Sequence, residues 1–392
     1  MASPPPVVAH VIFRFDVGGL ENGLVNFINH TPHGLCRHAI VALTEVSEQF
    51  RVRVVRSDVQ FYALRKRPGH LWRYFPALVR LFRQIAPAIV HTRNLAALEA
   101  TFPAWLAGVP VRIHSEHGRD VGDFDGSNVK YQRVRKMYSP FVQRWIALSK
   151  DLESYLEKRV GIDSGRIEQI YNGVDTSVFR PCAGERLPID GCPFTSPDLW
   201  LVGTVGRLEI VKDQTSLARA FVHALQLDPS LAKRMRLVIV GEGSLRAPIE
   251  KILVDANAMQ YAWLAGERSD VPAVMQGLDC FVLPSLAEGV SNTILEAMAT
   301  RLPIIATAVG GNPELVENDV SGRLVAAADC EALAAAMIGY IYDGATARRH
   351  AHAAHAAVQH RFSLQRMIDD YSRVYATMLD RYAPTLQHYG AV

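Results

Sequence analysis

Asp279-Cys280-Phe281-Val282-Leu283-Pro284-Ser285-Leu286-Ala287-Glu288-Gly289-Val290-Ser291-Asn292-Thr293-Ile294-Leu295-Glu296-Ala297-Met298 reads as a buried strand, a polar loop and a helix. The strand is the short apolar run that Pro284 ends. The helix is expected to start near Asn292 or Thr293, both capping residue types, and to continue through good helix formers. In a parallel α/β sheet such a loop lies at the carboxyl end of the strands, where ligands bind. A helix start there offers unpaired N–H groups and partial positive charge, which suit a phosphate. Glu288 and Glu296 flank that start, and carboxylates accept hydrogen bonds from hydroxyls. Anion donors beside hydroxyl acceptors point to a sugar nucleotide.

The spacing Glu, seven residues, Glu, inside Glu-Gly-Val-Ser-Asn-Thr-Ile-Leu-Glu-Ala-Met-Ala, resembles the signature of the retaining glycosyltransferases of family 4. Any acidic helix can carry a bare Glu-x7-Glu; the flanking residues make the match specific. The resemblance implies an α/β chain with the GT-B fold. That fold has two Rossmann-like domains facing a central cleft and a C-terminal helix that crosses back to the first domain. It covers nearly the whole chain, most strongly at 115–181 and 199–325. It implies that Glu296 holds the ribose hydroxyls and Glu288 the donor-sugar region, with Gly289, Val290 and Ser291 at the donor between them.

Outward from this stretch, Leu199–Val205 reads as another buried strand, followed by Gly206-Arg207-Leu208-Glu209-Ile210-Val211-Lys212-Asp213. Arg207 and Lys212 suit a diphosphate, one through a planar fork and the other as a point charge. They match the family's donor-phosphate pair. Arg236–Val240 leads into Gly241-Glu242-Gly243-Ser244, with Ser244 as a candidate cap and Glu242 a donor-side candidate. The strand and loop of 261–268 would lie by the nucleotide base, with Arg268 placed to stack on it or meet phosphate. A strand over Leu302–Thr307 precedes Gly310 and Gly311, which would allow backbone near a bound sugar. Gly322–Val325 is a last short strand. His350, His352, His355 and His360 fall on the helices of 329–342 and 345–360 without carboxylate or Cys partners, and read as solvated helix residues, not a metal site. The helix from Ser363 to about Tyr382 carries a packing stripe at Met367, Tyr371, Val374, Tyr375 and Met378.

The first half repeats the alternation. Strands are expected at 7–13, 37–43, 88–91, 111–115 and 145–148, with helical patterns near 20–29, 70–86, 95–107, 129–143 and 151–159. Such alternation argues for a parallel, doubly wound sheet; residues 44–68 show no clear pattern. Gly18 and Gly19, between the first strand and helix, match the family's loop facing the donor diphosphate. The loop Ser115-Glu116-His117-Gly118-Arg119-Asp120 ends a strand. His117 resembles the family's active-site histidine, and Glu116, Arg119 and Asp120 are acceptor-side candidates. This loop is also similar to that of the sugar transferases associated with exosortase-type exopolysaccharide systems. The expected organisation is a domain over 1–180, a linker over 181–198, a nucleotide-sugar domain over 199–362 and a terminal helix over 363–392.

About half of the 392 residues are hydrophobic, which fits a globular chain with a sizeable core. No N-terminal signal sequence is evident and no run approaches a membrane span. Five scattered cysteines form no metal spacing, and their odd number favours reduced cytosolic thiols. Residues 1–180 hold 24 Lys and Arg against 16 Asp and Glu, whereas the remainder is acidic. The Arg51, Arg53 and Arg56 group, Arg65-Lys66-Arg67, and Arg73, Arg80 and Arg83 suit either an anionic membrane surface or a solvated face. The expectation is a cytoplasmic enzyme, with peripheral membrane contact as an option. It would need no cofactor, metal or nucleic acid, and would use a UDP- or GDP-sugar and a glycan or lipid-linked acceptor. The resemblance implies front-face attack, with the departing phosphate oxygen helping to take the acceptor's proton. His117, Arg207, Lys212 and Glu288 would carry catalysis. A nicotinamide dehydrogenase lacks support, since its glycine fingerprint is missing. An inverting GT-B enzyme and a non-catalytic sugar-nucleotide sensor stay open.

Overall fold

The computed structural model describes residues 4–118, 122–123, 126–184 and 186–383. The chain divides into two units, residues 1–173 with 364–392, and residues 174–363.

In the first unit the described residues form a seven-stranded sheet in the order β3-β2-β1-β4-β5-β6-β7. The strands are β1 (Val7–Ile12), β2 (Arg37–Ala42), β3 (Gln60–Ala63), β4 (Ile89–Arg93), β5 (Val111–Glu116), β6 (Arg144–Ala147) and β7 (Ile167–Gln169). Every pairing is parallel. Parallel strands are covered on both faces, so they read as near-continuous apolar runs. β3 escapes that pattern because it is an edge strand with none of its residues buried. One face packs Val8, Ile12 and Ile89 against the Gly19–His30 helix and the Leu364–Tyr382 helix. On the latter, Leu364, Met367, Ile368, Tyr371, Val374, Tyr375 and Met378 are buried, a helical stripe that joins this sheet.

The second unit carries a six-stranded parallel sheet among its described residues, in the order β10-β9-β8-β11-β12-β13. Its strands are β8 (Trp200–Val205), β9 (Met235–Val240), β10 (Ala262–Gly266), β11 (Cys280–Leu283), β12 (Ile304–Thr307) and β13 (Arg323–Val325). The order reverses between β8 and β11, so the loops leaving these two strands flank the switch point where α/β sheets hold ligands.

The segment expected as a linker, 181–198, belongs to the second unit. The Leu187 N–H donates to the Gln276 carbonyl, Arg186 pairs with Asp279 at 3.3 Å, and Arg268 donates to the Asp190 carbonyl at 3.0 Å. The expected 95–107 helix is two short ones, Leu95–Leu98 and Thr101–Leu106. All five cysteines are free thiols. Among the described residues no helix is long and apolar enough to cross a membrane, and no group of His, Cys, Asp or Glu is placed to hold a metal ion.

Candidate active site

The centre of the site is the loop leaving β11. Ser291 caps the Asn292–Thr300 helix, its side-chain oxygen accepting from the Ile294 N–H at 3.3 Å. The cap thus falls one residue before the expected Asn292. Ser291 and Val290 are buried, while Glu296 is half-buried within the helix.

The loop leaving β8 meets it. A 3-10 turn over Ile210–Lys212 ends at Asp213, whose carboxylate caps the Gln214–Leu227 helix through the Ser216 N–H. That turn fixes the root of Lys212. The Leu286 N–H donates to the Val211 carbonyl at 2.8 Å, tying the two loops. Lys212 Nζ lies 2.5 Å from Glu288 Oε1, with the Glu288 side chain 8% exposed. Ser285 Oγ donates to the same oxygen at 2.6 Å. Arg207 is exposed and makes no ion pair among the described residues, so its guanidinium is available to an anion. Its carbonyl accepts from Gln214 Nε2 at 2.9 Å, which fixes its backbone.

A third loop, after β12, presses on the first. Gly310 has φ +51° and comes so close that a Cβ would sit 1.8 Å from the Glu288 carbonyl oxygen. Only glycine fits this approach. The Gly311 N–H donates to the Gly289 carbonyl at 2.9 Å. Close packing likewise explains Gly241, where a Cβ would lie 1.9 Å from the Gly206 carbonyl oxygen.

Two donor-side candidates are otherwise engaged. Arg268 forks onto Asp270 at 2.8 and 2.6 Å and lies over Trp263. The Asp270 hydrogen bond holds its guanidinium pKa up, and the fork is occupied by this carboxylate. Glu242 is exposed and pairs with Arg246 at 2.6 Å. Ser244 is not a cap; its hydroxyl donates to Glu209 at 3.0 Å.

In the first unit, Gly18 precedes the Gly19–His30 helix with extended backbone. The carboxylate of Glu21 lies over it, 2.2 Å from where a Gly18 Cβ would be. A carboxylate thus already faces this helix start. His117 follows β5, its N–H donating to Asn94 Oδ1 at 2.8 Å. Its ring Nε2 is buried without a hydrogen-bond partner among the described residues. Burial lowers the imidazole pKa, the nearby Arg93 charge lowers it further, and the ring stays neutral at pH 7.

Glu116, an acceptor-side candidate, is engaged within the first unit. It is 1% exposed and accepts from Arg135 Nε at 2.6 Å, Arg135 Nη2 at 3.1 Å and His114 Nε2 at 3.2 Å. Burial pushes its pKa up, but the Arg135 charge and the His114 and Arg135 hydrogen bonds outweigh that and hold it at about 2. The reason is Arg135, buried on the Val129–Tyr138 helix and in need of a counter-ion. Arg119 and Asp120 lie outside the described residues.

Sequence reasoning missed a buried polar row under the Leu364–Tyr382 helix. His10 and His38 meet at 2.9 Å, Arg93 donates to His10 at 3.0 Å, and His91 pairs with the Tyr375 hydroxyl at 2.7 Å. The available signal was a histidine inside each of three buried strands, β1, β2 and β4. On the Gly344–Arg361 helix, His350 is buried against the Tyr340 hydroxyl at 2.9 Å, so it is structural.

Known proteins agree with this architecture. Residues 17–178 match the family described as Glycosyltransferase Family 4, and residues 200–343 match Glycosyl transferases group 1. The chain is 29% identical over 67% of its length to UDP-Gal:alpha-D-GlcNAc-diphosphoundecaprenol alpha-1,3-galactosyltransferase of Escherichia coli, spanning 68% of that protein. It is 30% identical over 63% of its length to D-inositol 3-phosphate glycosyltransferase of Salinispora tropica, spanning 53% of that one. Among solved structures, Anabaena HepE in complex with UDP and glucose superposes with a TM-score of 0.78 at 18% identity, covering 94% of this chain and 99% of HepE.

Proposed function

This chain belongs to glycosyltransferase family 4 and has the GT-B fold, and we propose that it moves a hexose from a UDP-sugar to a glycan or lipid-linked acceptor with retention of configuration. The observation that carries this reading is the Lys212–Glu288 pair at the switch point, with Arg207 on the same loop after β8 and without an ion pair among the described residues. Arg207 and Lys212 take the charge that grows on the leaving diphosphate. The capped helix start after Ser291 adds main-chain donors. Glu288 accepts from a hydroxyl of the donor sugar and Glu296 from the ribose. His117, neutral and with an unpartnered ring nitrogen, is available to the sugar as a hydrogen-bonding group. The acceptor hydroxyl attacks from the face the diphosphate leaves, and the departing phosphate oxygen takes its proton. With two cations in place for the phosphates, no metal or other cofactor is required.

The preference for UDP over GDP rests on the E. coli relative, whose name carries UDP-Gal, and on HepE, which holds UDP. That relative's name also carries a diphosphoundecaprenol acceptor, which supports a polyprenyl-diphosphate-linked glycan here and a place in cell-surface or exopolysaccharide assembly. A membrane-bound acceptor calls for contact with the bilayer. Arg56 is excluded from that role, since it is buried against Asp58 at 2.5 Å. Exposed Trp72, Arg73, Arg80 and Arg83 remain, as do Val129, Lys130, Arg133 and Met137 on one helix. Flotation with anionic vesicles at low salt tests this; no flotation at any salt overturns it.

The deciding experiment is thermal stabilisation by UDP, GDP, ADP and NAD with EDTA present, followed by the anomeric configuration of the product by NMR. A shift with UDP alone and a retained anomer support the reading. A shift with NAD alone, or no shift at millimolar ligand, removes it, and an inverted anomer makes the enzyme an inverting one.

A further inference from the structure

Glu288 has two carboxylate oxygens with different surroundings. Oε1 accepts from Lys212 Nζ at 2.5 Å and from Ser285 Oγ at 2.6 Å. Two donors fill its lone pairs, and Oε2 has no hydrogen bond among the described residues. The carboxylate is therefore held in one orientation, with a single oxygen left for a ligand.

Of the two donors, Lys212 is a flexible chain, 25% exposed, that the diphosphate also attracts. Ser285 is fixed. It is fully buried, and its carbonyl accepts from Thr307 Oγ1 at 2.6 Å. The Thr307 carbonyl in turn accepts from Asn312 Nδ2 at 3.0 Å. Thr307 and Asn312 are also fully buried. The relay Asn312, Thr307, Ser285 joins the loops after β11 and β12 and ends on Glu288. It runs alongside the Gly310 contact described above.

We propose that Ser285 is a positioning residue: its hydroxyl holds the Glu288 carboxylate when Lys212 turns to the phosphates, so that Oε2 stays aimed at one hydroxyl of the donor sugar. This rests on the transferase reading of the same site.

The test is a double-mutant cycle with Ser285→Ala, Glu288→Ala and both together. Release of UDP from UDP-glucose or UDP-galactose is followed, and UDP affinity is measured separately by calorimetry. Ser285→Ala is expected to lower kcat roughly 10–100-fold, by analogy with the loss of an outer-shell partner of a metal ligand. UDP affinity should stay unchanged, because Glu288 faces the sugar. In the Glu288→Ala background the second change should add nothing. Ser285→Thr, which keeps the hydroxyl, should recover most of the rate. Additive effects, or an unchanged kcat in Ser285→Ala while Glu288→Ala is impaired, would overturn the positioning role and leave the transferase reading intact. Weakened UDP binding in Ser285→Ala points to general disruption of the loop and also overturns it. No UDP release from either donor by the unmodified chain overturns the reading and this inference together.

Discussion

Lys212 and Glu288 are 76 positions apart and meet at 2.5 Å because β8 and β11 are neighbours where the second sheet reverses its order. Lys212→Ala should remove a charged donor worth about 1.5–3 kcal/mol. UDP affinity by calorimetry is then expected to fall roughly 10–150-fold. Unchanged affinity would remove Lys212 from the phosphate site.

The Gly310 contact gives a sharper test of backbone fit. Gly310→Ala forces a Cβ against the Glu288 carbonyl in a left-handed conformation, so the Glu288 loop must shift. Stability should drop by about 1–3 kcal/mol, with turnover lost as well. Gly339 is exposed within the Cys330–Tyr342 helix, and a Cβ there meets nothing. Gly339→Ala should stabilise by about 0.5–1 kcal/mol and leave turnover alone. Thermal melts of both variants check the contrast.

Buried histidines give the first unit an acid limit. Burial and then the Arg56 charge lower the His38 pKa from 6.5 to about 3, and His10, His91 and His117 are also held low. Between pH 3 and 6.5 the unfolded chain binds protons that the folded chain refuses. Stability therefore falls as pH drops below about 6.5. Glu116, held near 2 against an ordinary 4.5, adds a second loss as pH falls from 4.5 toward 2. Melting temperatures measured from pH 7.5 to 4 should decline, and His38→Gln should flatten the slope. A flat profile in the unmodified protein would contradict this.

Glu116→Gln separates structure from acceptor binding. It neutralises the carboxylate that Arg135 and His114 bond, and breaking a buried ion pair costs about 3–5 kcal/mol. Thermal melts should show that loss, while the acceptor KM of the folded enzyme stays unchanged. A raised KM with an unaltered melt would return Glu116 to the acceptor side.

What was legible beforehand follows from distance along the chain. The strand, loop and helix of 279–298 are readable because each signal is local: an apolar run, a proline, then polar residues before helix formers. The cap was placed one residue late because Ser291, Asn292 and Thr293 are all capping types, and only the backbone angles separate them. The pairing of Glu116 was hidden because its partner Arg135 lies nineteen residues on. The Ser285–Thr307–Asn312 relay was invisible because it depends on β11 lying beside β12. β3 left no apolar run because an edge strand has less to bury.

The Leu364–Tyr382 helix covers the first sheet with residues that are made only after the whole of the second unit. Residues 174–363 form one uninterrupted stretch, so the second unit can complete its core while the chain is still being synthesised. The first unit cannot. Val8, Ile89 and His91 wait for Met367, Tyr371 and Tyr375, and His91 alone has its Tyr375 partner 284 positions away. Of the two units, the one whose synthesis begins earlier is thus the one that completes its core later, because its closing helix follows the whole of the second unit. A chain stopped after Ser363 should bind a hydrophobic dye and be cut by protease within residues 1–173, while residues 174–363 resist. Equal resistance of both parts would show that the first sheet closes without its final layer.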